Sequence, residues 1–437
     1  MVGQIQLEEL MTKPSQGFFA KLGIRPNEVA LVIAIVTIIG ITLGVDTNRS
    51  YWFQWDTNSI EIGRQTALLG IFALGAMMVI ISGGIDLSSG SMIAFSGTVI
   101  ACCMIYLQYG PLKDVLFPEV VDAAGKSVRV DMASAGLFVQ TLVVVVSIAM
   151  GLVSGFFVGT LHAWLITSIR LPPFVATLST LVGLRSLARI LCEYTTSTYQ
   201  SSKKAQVNID HPFFTWLRDS KHVYLWVAVF LVLATLTWVI LSRTVLGRHI
   251  YALGGNEQAA KLSGIRTDRL KWFAYVFGAM TASLASVFYL ANEGVCAPVN
   301  QGRGHELNAI AAAVVGGCSL QGGIGTVTGT LLGALFLRIV IDSVSKIIKS
   351  GADIWEGLIV GIVVVLAVTF SQLQQLRGTG RRLFPGALGA CAMITLALFA
   401  GLIAMSTWGE KQAAITMVSV LVALFVYGLT EKQKARA

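Results

Sequence analysis

The long apolar stretches of the chain constrain its fold more than any other feature. Several runs reach the ~18 residues that a helix needs to cross the hydrocarbon core of a bilayer, and they recur from about residue 28 to residue 427. Of the 437 residues, 55% are hydrophobic and 13% are charged, a charged share about half that of soluble domains. The sequence therefore predicts an all-α integral membrane protein, a polytopic helical bundle.

About twelve membrane-spanning segments are predicted, and an even number places both termini on one side. The fourth run is longer than one upright helix requires and too short for two helices with a turn, so one tilted helix is expected there. The predicted spans are about 28–44, 65–82, 90–108, 136–169, 174–192, 223–241, 271–291, 307–320, 325–344, 354–370, 383–404 and 412–427.

The polar segments divide the chain and suggest its orientation. Basic residues concentrate between spans six and seven, after span ten and at the C-terminus, and by the positive-inside rule these parts are expected in the cytoplasm. Loop Lys and Arg that set topology also explain the net charge of +9, so lipid is an expected partner and nucleic acid is not. The predicted parts are a cytoplasmic tail at 1–27, a ten-span core at 28–372 with a cytoplasmic polar segment at 242–270, a basic linker at 373–382, an additional hairpin at 383–429 and a cytoplasmic tail at 430–437.

Two glycine-rich segments inside the apolar regions resemble each other. Residues 83–94 (GGIDLSSGSMIA) align with residues 322–333 (GGIGTVTGTLLG), and both lie between apolar half-runs. Paired helix breaks in duplicated halves are a common transporter plan and point to the solute path. We therefore predict two parallel-related halves with broken helices, although chance similarity of glycine-rich apolar sequence is an alternative.

The first break is polar, and irregular backbone at membrane depth is tolerated only against protein or water. Asp86 is the acidic residue between spans two and three, and a carboxylate at membrane depth costs ~2.5–3.5 kcal/mol on insertion scales. It lines the solute path, or it caps a helix that begins near Leu87, and both interpretations can hold. The pathway candidates of this break are Gly83, Gly84, Asp86, Ser88 and Ser89.

Other polar candidates for the solute path lie at the predicted starts of spans two and eight. Gln65 opens span two, whereas Glu306 and Asn308 open span eight, and the repeat makes these positions roughly equivalent mouths. They predict contact with a polar solute or with a protein that delivers it, and capping of interfacial helices is the alternative. Thr328, in the second break, completes the pathway candidates.

Two arginines lie four residues apart on span five and so share a helix face. Arg189 is expected to extend outward to the membrane interface. Arg185 can extend outward or line a cavity, and the sequence leaves both open.

The polar segment between spans six and seven has the composition of a short capped helix. Gly254 and Gly255 permit a turn, Asn256 is a favoured N-cap, and residues 257–262 form helices readily and begin with an acid. A helix between two spans can be held by a partner outside the lipid. The residues assigned to this contact are Gly254, Gly255, Asn256, Glu257, Ala260, Lys261 and Gly264.

The sequence contains no complete nucleotide-binding or metal-binding motif. Residues 125–127 (GKS) resemble the end of a phosphate loop, but the required first glycine would fall at Val120 and no strand is expected before it. The six cysteines lack ligand spacing and mostly lie in apolar runs as small buried side chains, with Cys296 as a loop exception. No metal or cofactor is expected, and any ATP must bind to another subunit.

Together these motifs resemble the permeases of the ribose/xylose/galactose branch of ATP-binding-cassette (ABC) importers, over roughly residues 60–372. The matching segments are 85–88 (IDLS) with 90–91 (GS), 173–178 (PFVATL), 247–265, and 306–312 (ELNAIAA) followed by 316–317 (GG). The resemblance implies a homodimer in the bacterial inner membrane, a cytoplasmic cassette ATPase and an external solute-binding protein. Residues 254–264 then correspond to the segment that couples the permease to the ATPase.

Three departures from this family are visible. Val158 precedes Gly159 where many relatives have Asn-Gly, and Asn308 stands where Asp is usual. These two departures bear on which sugar is carried. The third is the hairpin after Arg382, which the family does not usually have. The expected function is import of a small polar solute, foremost a monosaccharide, by a subunit that is not an enzyme. Alternatives are an ABC permease for nucleosides or other solutes, an ion-coupled secondary transporter and an integral-membrane enzyme, for which only His162 and Asp86 lie deep in the spans.

Overall fold

A computed structural model describes most of the chain. The described residues are 26–45, 54–121, 127–129, 132, 134–201, 203–347, single positions and short pieces between 355 and 369, 386–408 and 410–434. The predicted N-terminal tail, the basic linker and the end of the C-terminal tail lie outside them. The chain divides into two compact units, residues 1–368 and residues 369–437.

Helices dominate the first unit because long apolar runs satisfy their own backbone groups in this conformation. In chain order they are α1 (Pro26–Val45), α2 (Trp55–Ile81), α3 (Ser89–Tyr109), α4 (Lys113–Leu116), α5 (Leu137–Thr167), α6 (Pro173–Tyr199), α7 (Pro212–Arg218), α8 (Val223–Arg243), α9 (Val245–Gly255), α10 (Glu257–Leu262), α11 (Thr267–Glu293), α12 (His305–Val315) and α13 (Val327–Ile347). Strand β1 (Glu119–Val121) pairs antiparallel with β2 (Ser127–Arg129), and β3 (Val207–Asn208) pairs with β4 (Val295–Cys296).

Eight helices of the described residues are long and apolar enough to cross a membrane, namely α1, α2, α3, α5, α6, α8, α11 and α13. Shorter apolar helices cover His305–Val315, Gly389–Leu402 and Lys411–Tyr427. The prediction of a multi-pass helical membrane protein is therefore confirmed. The fourth predicted span is one helix, α5, of 31 residues.

Two sequence predictions about position were wrong. Helix α2 begins at Trp55, so Gln65 lies about three turns inside the helix and does not open it. The charges of Asp56, Glu61 and Arg64 hid this extension from a search for apolar runs. Cys296 belongs to β4 and is buried, because the strand pair draws this loop residue into the protein.

Helix α11 occupies the centre of the unit and packs against α5, α2 and α3. The glycine ladder of α5 allows this approach, because a Cβ atom on Gly159 would lie 2.5 Å from the Cα atom of Val276. Helices α12 and α13 pack closely in the same way, with Gly316 against Gly329. Glycines at these contacts therefore let the helix backbones approach closely.

The second unit contains α14 (Gly386–Trp408) and α15 (Glu410–Lys434), which pack against each other. Gly401 of α14 faces Met417 of α15. This helix pair occupies the region where an additional hairpin is predicted.

Candidate functional site

The two glycine breaks and the polar segment between α8 and α11 meet at one place. This glycine junction comprises Gly83, Gly254, Gly255, Gly322 and Gly323. The Gly323 N–H donates a hydrogen bond of 2.9 Å to the Ile81 carbonyl. A Cβ atom on Gly254 would overlap that carbonyl oxygen, and one on Gly322 would lie 2.8 Å from the Gly83 Cα atom. Three segments far apart in sequence are therefore in direct backbone contact.

Turns at both breaks require a backbone conformation that favours glycine. The φ angles of Gly83, Gly322 and Gly323 are +83°, +89° and +70°, in the left-handed region where a side chain is strained. After Gly83 the chain continues without helix until α3 begins at Ser89. The repeated glycines thus serve both turning and close approach.

The polar segment forms the short helix that its sequence predicts. Asn256 caps α10, since its Oδ1 accepts a hydrogen bond of 3.0 Å from the Ala259 N–H. Glu257 pairs with Lys261 at 3.0 Å and, in addition, with Lys271 at 2.8 Å. Ala260 is buried, and Gly264 ends the segment with a φ of +80°.

Glu257 is held ionised by its lysine partners. Burial acts to raise the pKa of this carboxyl, but hydrogen bonds from Lys271 and Lys261 outweigh it and hold the pKa below its usual value. The pair with Lys271 joins α10 to the first turns of α11. Spacing along one helix could not predict it, because Lys271 belongs to the next helix.

Asp86 lies in the turn just before α3, and its hydrogen bonds go to Ser88, the N-cap residue, and not to an N–H group inside the helix. It is 4% exposed, and its Oδ1 accepts hydrogen bonds from the N–H and the Oγ of Ser88 at 2.8 and 2.6 Å. The predicted helix start at Leu87 was two residues early. Asp86 also interacts electrostatically with His162 of α5 and Tyr275 of α11, a proximity that the sequence did not reveal.

The carboxylate at the second break belongs to another helix. Thr326 and Thr328 both donate hydrogen bonds to Glu28 of α1, and Thr326 accepts one of 3.1 Å from the Gly329 N–H at the start of α13. The predicted pathway residue Thr328 is therefore hydrogen-bonded to α1 and not to Asp86.

A third group of polar side chains lies along α3. The Glu306 carboxylate, in the first turn of α12, packs against Gly90 of α3. Ser89 is buried, and neither its Oγ nor the Glu306 Oε2 has a hydrogen-bond partner among the described residues. Arg185 of α6 donates to the Gln301 carbonyl at 3.1 Å, so it stabilises the irregular backbone before α12.

The other residues singled out in the sequence lie away from the glycine junction. The Gln65 amide donates to Glu61 at 2.8 Å, and its position in α2 is 16 residues, about 24 Å, before Ile81. Asn308 lines a cavity of about 570 Å³ together with Leu307 and residues between 357 and 365. Arg189 pairs with Glu193 at 2.7 Å.

A cavity of about 720 Å³, the inner cavity, lies beside the glycine junction. It is bounded by the end of α2, the turn between α5 and α6, the helices α9 and α10, and the start of α11. Residues that line it include Gly84, Thr167, Asn256, Glu257, Lys271, Tyr275 and Gln321. Among the described residues, no group of three or more His, Cys, Asp or Glu side chains could hold a metal ion.

The breaks, the polar segment and the inner cavity all fall within residues 58–368, which match the family described as branched-chain amino acid transport system / permease component. The chain belongs to this family. It is therefore a membrane permease subunit of an ABC importer, a transporter component and not an enzyme, and a separate subunit hydrolyses ATP. Import permeases of this kind work with a cassette ATPase and a solute-binding protein.

Several curated proteins are similar to this permease along most of their length. The ribose import permease protein RbsC of Escherichia coli is 31% identical over 348 residues, which cover 79% of this chain and 93% of that protein. The fructose import permease protein FruG of Bifidobacterium longum is 29% identical over 82% of this chain and 94% of its own. The autoinducer 2 import system permease protein LsrC of Yersinia pestis is 31% identical over 79% and 84%. No solved structure matches the chain.

Proposed function

We propose that this permease carries a monosaccharide across the bacterial inner membrane. The observation that carries the proposal is the similarity to a ribose permease and a fructose permease over more than nine-tenths of both. The inner cavity supports it, because a polyol needs several hydrogen-bonding groups along its path. Tyr275, Asn256 and Gln321 supply such groups.

The family description names branched-chain amino acids, whereas two of the similar permeases are named for sugars, and so a sugar is placed first. In the wall of the inner cavity Glu257 is paired with Lys271 and Lys261, and Arg170 and Asp268 also line it. The 31% identity to an autoinducer 2 permease makes that solute the second candidate.

Thermal unfolding of the solute-binding protein tests the solute class. Ribose, xylose, galactose, fructose, autoinducer 2 and leucine are added separately, since a ligand at 100 times its Kd adds ~2.7 kcal/mol of stability. We expect one of the sugars to raise the Tm. A shift with leucine alone would contradict the proposal, and a shift with autoinducer 2 alone would favour the second candidate.

We also propose that residues 254–264 dock on the ATPase. The segment is a capped helix with Glu257 and Lys261 on its surface, and a Cβ atom on Gly255 would meet no atom within 4 Å. Gly255→Trp combined with Glu257→Ala should leave the permease folded and inserted, and should separate ATP hydrolysis from uptake. Normal coupling in this variant would remove the assignment.

The topology forms part of the same proposal: twelve spans in two related halves, cytoplasmic termini and a homodimer. Support comes from the similar glycine breaks and from the basic residues near the polar segment and the C-terminus. Single cysteines at Gln4 and Gln433 should react with an impermeant thiol reagent only after the inner membrane is permeabilised. Light scattering of the purified complex should give two permease copies, and labelling in intact spheroplasts would contradict the orientation.

The proposed solute pathway includes Gln65, Gly83, Gly84, Asp86, Ser88, Ser89, Glu306, Asn308 and Thr328. In this conformation Asp86 and Ser88 are buried and Thr328 is exposed. Single cysteines at these three positions, in a cysteine-free background, should change their reactivity when ATP is trapped. Unchanged protection of Asp86→Cys and Ser88→Cys in every state would exclude the first break from the pathway.

A further inference from the structure

A buried tyrosine hydroxyl faces the inner cavity without a hydrogen-bond partner. Tyr275 of α11 is 1% exposed and lines the cavity. Its hydroxyl lies beside the backbone of Ile85, yet it forms no hydrogen bond with a described residue. A buried unpaired hydroxyl costs free energy, and so it indicates a partner that binds from the cavity.

The backbone leaves room for that hydroxyl. A Cβ atom on Gly84 would lie 2.4 Å from the Tyr275 oxygen, so glycine at this position is what leaves space for the hydroxyl. The cavity volume of about 720 Å³ lies within the range of about 300–1,000 Å³ that small-molecule sites have.

The remaining lining suits a neutral ligand rich in hydroxyl groups. Thr167, Asn256 and Gln321 offer side chains that both donate and accept hydrogen bonds. Glu257 and Lys271 are paired with each other, and Arg170 and Asp268 also line the cavity, where charged groups can form strong hydrogen bonds with hydroxyl groups. A hydroxyl such as that of Tyr275 also donates and accepts, which matches the hydroxyl groups of a sugar.

We propose that the inner cavity is an exit subsite, which binds the monosaccharide between translocation and release and holds it through the Tyr275 hydroxyl. This assignment rests on the proposed function. It adds a ligand contact at a residue outside the two glycine breaks and outside the polar segment.

The position of the cavity links release to the ATPase. Asn256 and Glu257, from the segment proposed to dock on the ATPase, form part of its wall. The same segment touches both breaks at the glycine junction, where the Gly254 backbone lies against Ile81. A movement of the segment therefore changes the shape of the cavity directly, without any intermediate helix.

Tyr275→Phe is the first test, in proteoliposomes that contain the permease, its ATPase and its solute-binding protein. If the hydroxyl binds solute, uptake of radiolabelled D-ribose or D-fructose should fall about fivefold, as expected for one lost neutral hydrogen bond. A purely structural hydroxyl without a partner predicts no loss, and the Tm of the variant should stay equal or rise. Unchanged uptake would overturn the proposal.

A matched pair of variants tests the cavity itself. Thr167→Trp fills the cavity, whereas Ser168→Trp places the same side chain on the neighbouring residue, which is exposed and does not line it. We expect Thr167→Trp to lower uptake about tenfold or more. Ser168→Trp should transport as the unmodified protein does.

The outcomes separate this inference from the proposed function. Equal uptake by the two tryptophan variants overturns the exit subsite and leaves the sugar permease intact. If the unmodified transporter takes up none of ribose, xylose, galactose and fructose, the proposed function fails, and the subsite fails with it. Should Thr167→Trp not fold, the Tyr275→Phe result decides.

Discussion

At each glycine break a carboxylate accepts hydrogen bonds near the start of a helix, but the two carboxylates come from different parts of the chain. In the first break, Asp86 accepts hydrogen bonds from Ser88, two residues later, so the contact is local and the carboxylate is buried. In the second break the aligned position is Gly325, which has no side chain, and Glu28 of α1 accepts hydrogen bonds from two threonines instead. Both carboxylates lie at the start of a helix, α3 or α13, where negative charge is favourable. A broken helix thus needs an anchored start, and the anchor can come from the break itself or from a neighbouring helix.

The largest effect is expected where the breaks meet. Gly254→Ala should lower the free energy of unfolding by about 3 kcal/mol or more and abolish uptake, because the new Cβ atom overlaps the Ile81 carbonyl and backbone atoms cannot move aside. Gly255→Ala is the matched control for stability, since its Cβ atom meets nothing within 4 Å. Thermal unfolding in detergent compares the two variants, uptake in proteoliposomes is measured for Gly254→Ala, and equal unfolding of the two variants would contradict the close contact at the glycine junction.

The two turns should differ in tolerance although both have a positive φ. Gly322→Ala combines left-handed strain with a Cβ atom 2.7 Å from the Gly254 oxygen, whereas Gly83→Ala has 3.5 Å to the Gly254 Cα atom. We expect losses of about 3 and about 1 kcal/mol of unfolding free energy, respectively. The same thermal unfolding series decides, and a reversed order would mean that the first break is the more crowded one.

Removal of the two carboxylates should also lower the free energy of unfolding by unequal amounts. Asp86→Ala leaves the Ser88 backbone N–H without its acceptor and should cost about 2 kcal/mol. Glu28→Ala removes the acceptor of two hydroxyl groups, which can rotate toward backbone carbonyls, and should cost about 1 kcal/mol. Comparison of the Tm values of the two variants is the measurement, and a larger loss for Glu28→Ala would reverse the ranking of the anchors.

The smallest effect concerns the polar segment that touches both breaks. The pKa of Glu257 is lowered by its lysine partners against the effect of burial, so its ion pairs stabilise the protein above the usual value of 4.5 and are lost as the pH falls through the lowered pKa. Because the side chain is 36% exposed, the contribution is under about 1 kcal/mol. The Tm difference between the unmodified protein and Glu257→Gln should vanish at low pH, and a constant difference would exclude ionisation as its cause.

Local chemistry explains which parts of this molecule could be predicted from sequence. Apolar length predicted most helices, and the Asn256 cap and the Glu257–Lys261 pair follow from spacing within one short helix. The glycine repeat predicted where two helices break. These features depend on neighbours within a few residues, which a sequence displays directly.

The features that the sequence did not predict depend on contacts between distant segments. The bond from Gly323 to Ile81, the pair of Lys271 with Glu257 and the bonds of Arg185 to loop carbonyls each join different elements. Nothing in the local spacing of these residues specifies the partner. The breaks and the polar segment were therefore predicted separately, and only packing brought them together.

The hydrogen bond between Gly323 and Ile81 also sets an order of events during synthesis. The ribosome produces Ile81 long before Gly323, because the chain grows from its N-terminus, and α2 can enter the bilayer while α13 does not yet exist. The carbonyl of Ile81 therefore has no amide from residue 323 until most of the protein has been made. A nascent chain arrested before residue 323 would therefore have an open glycine junction.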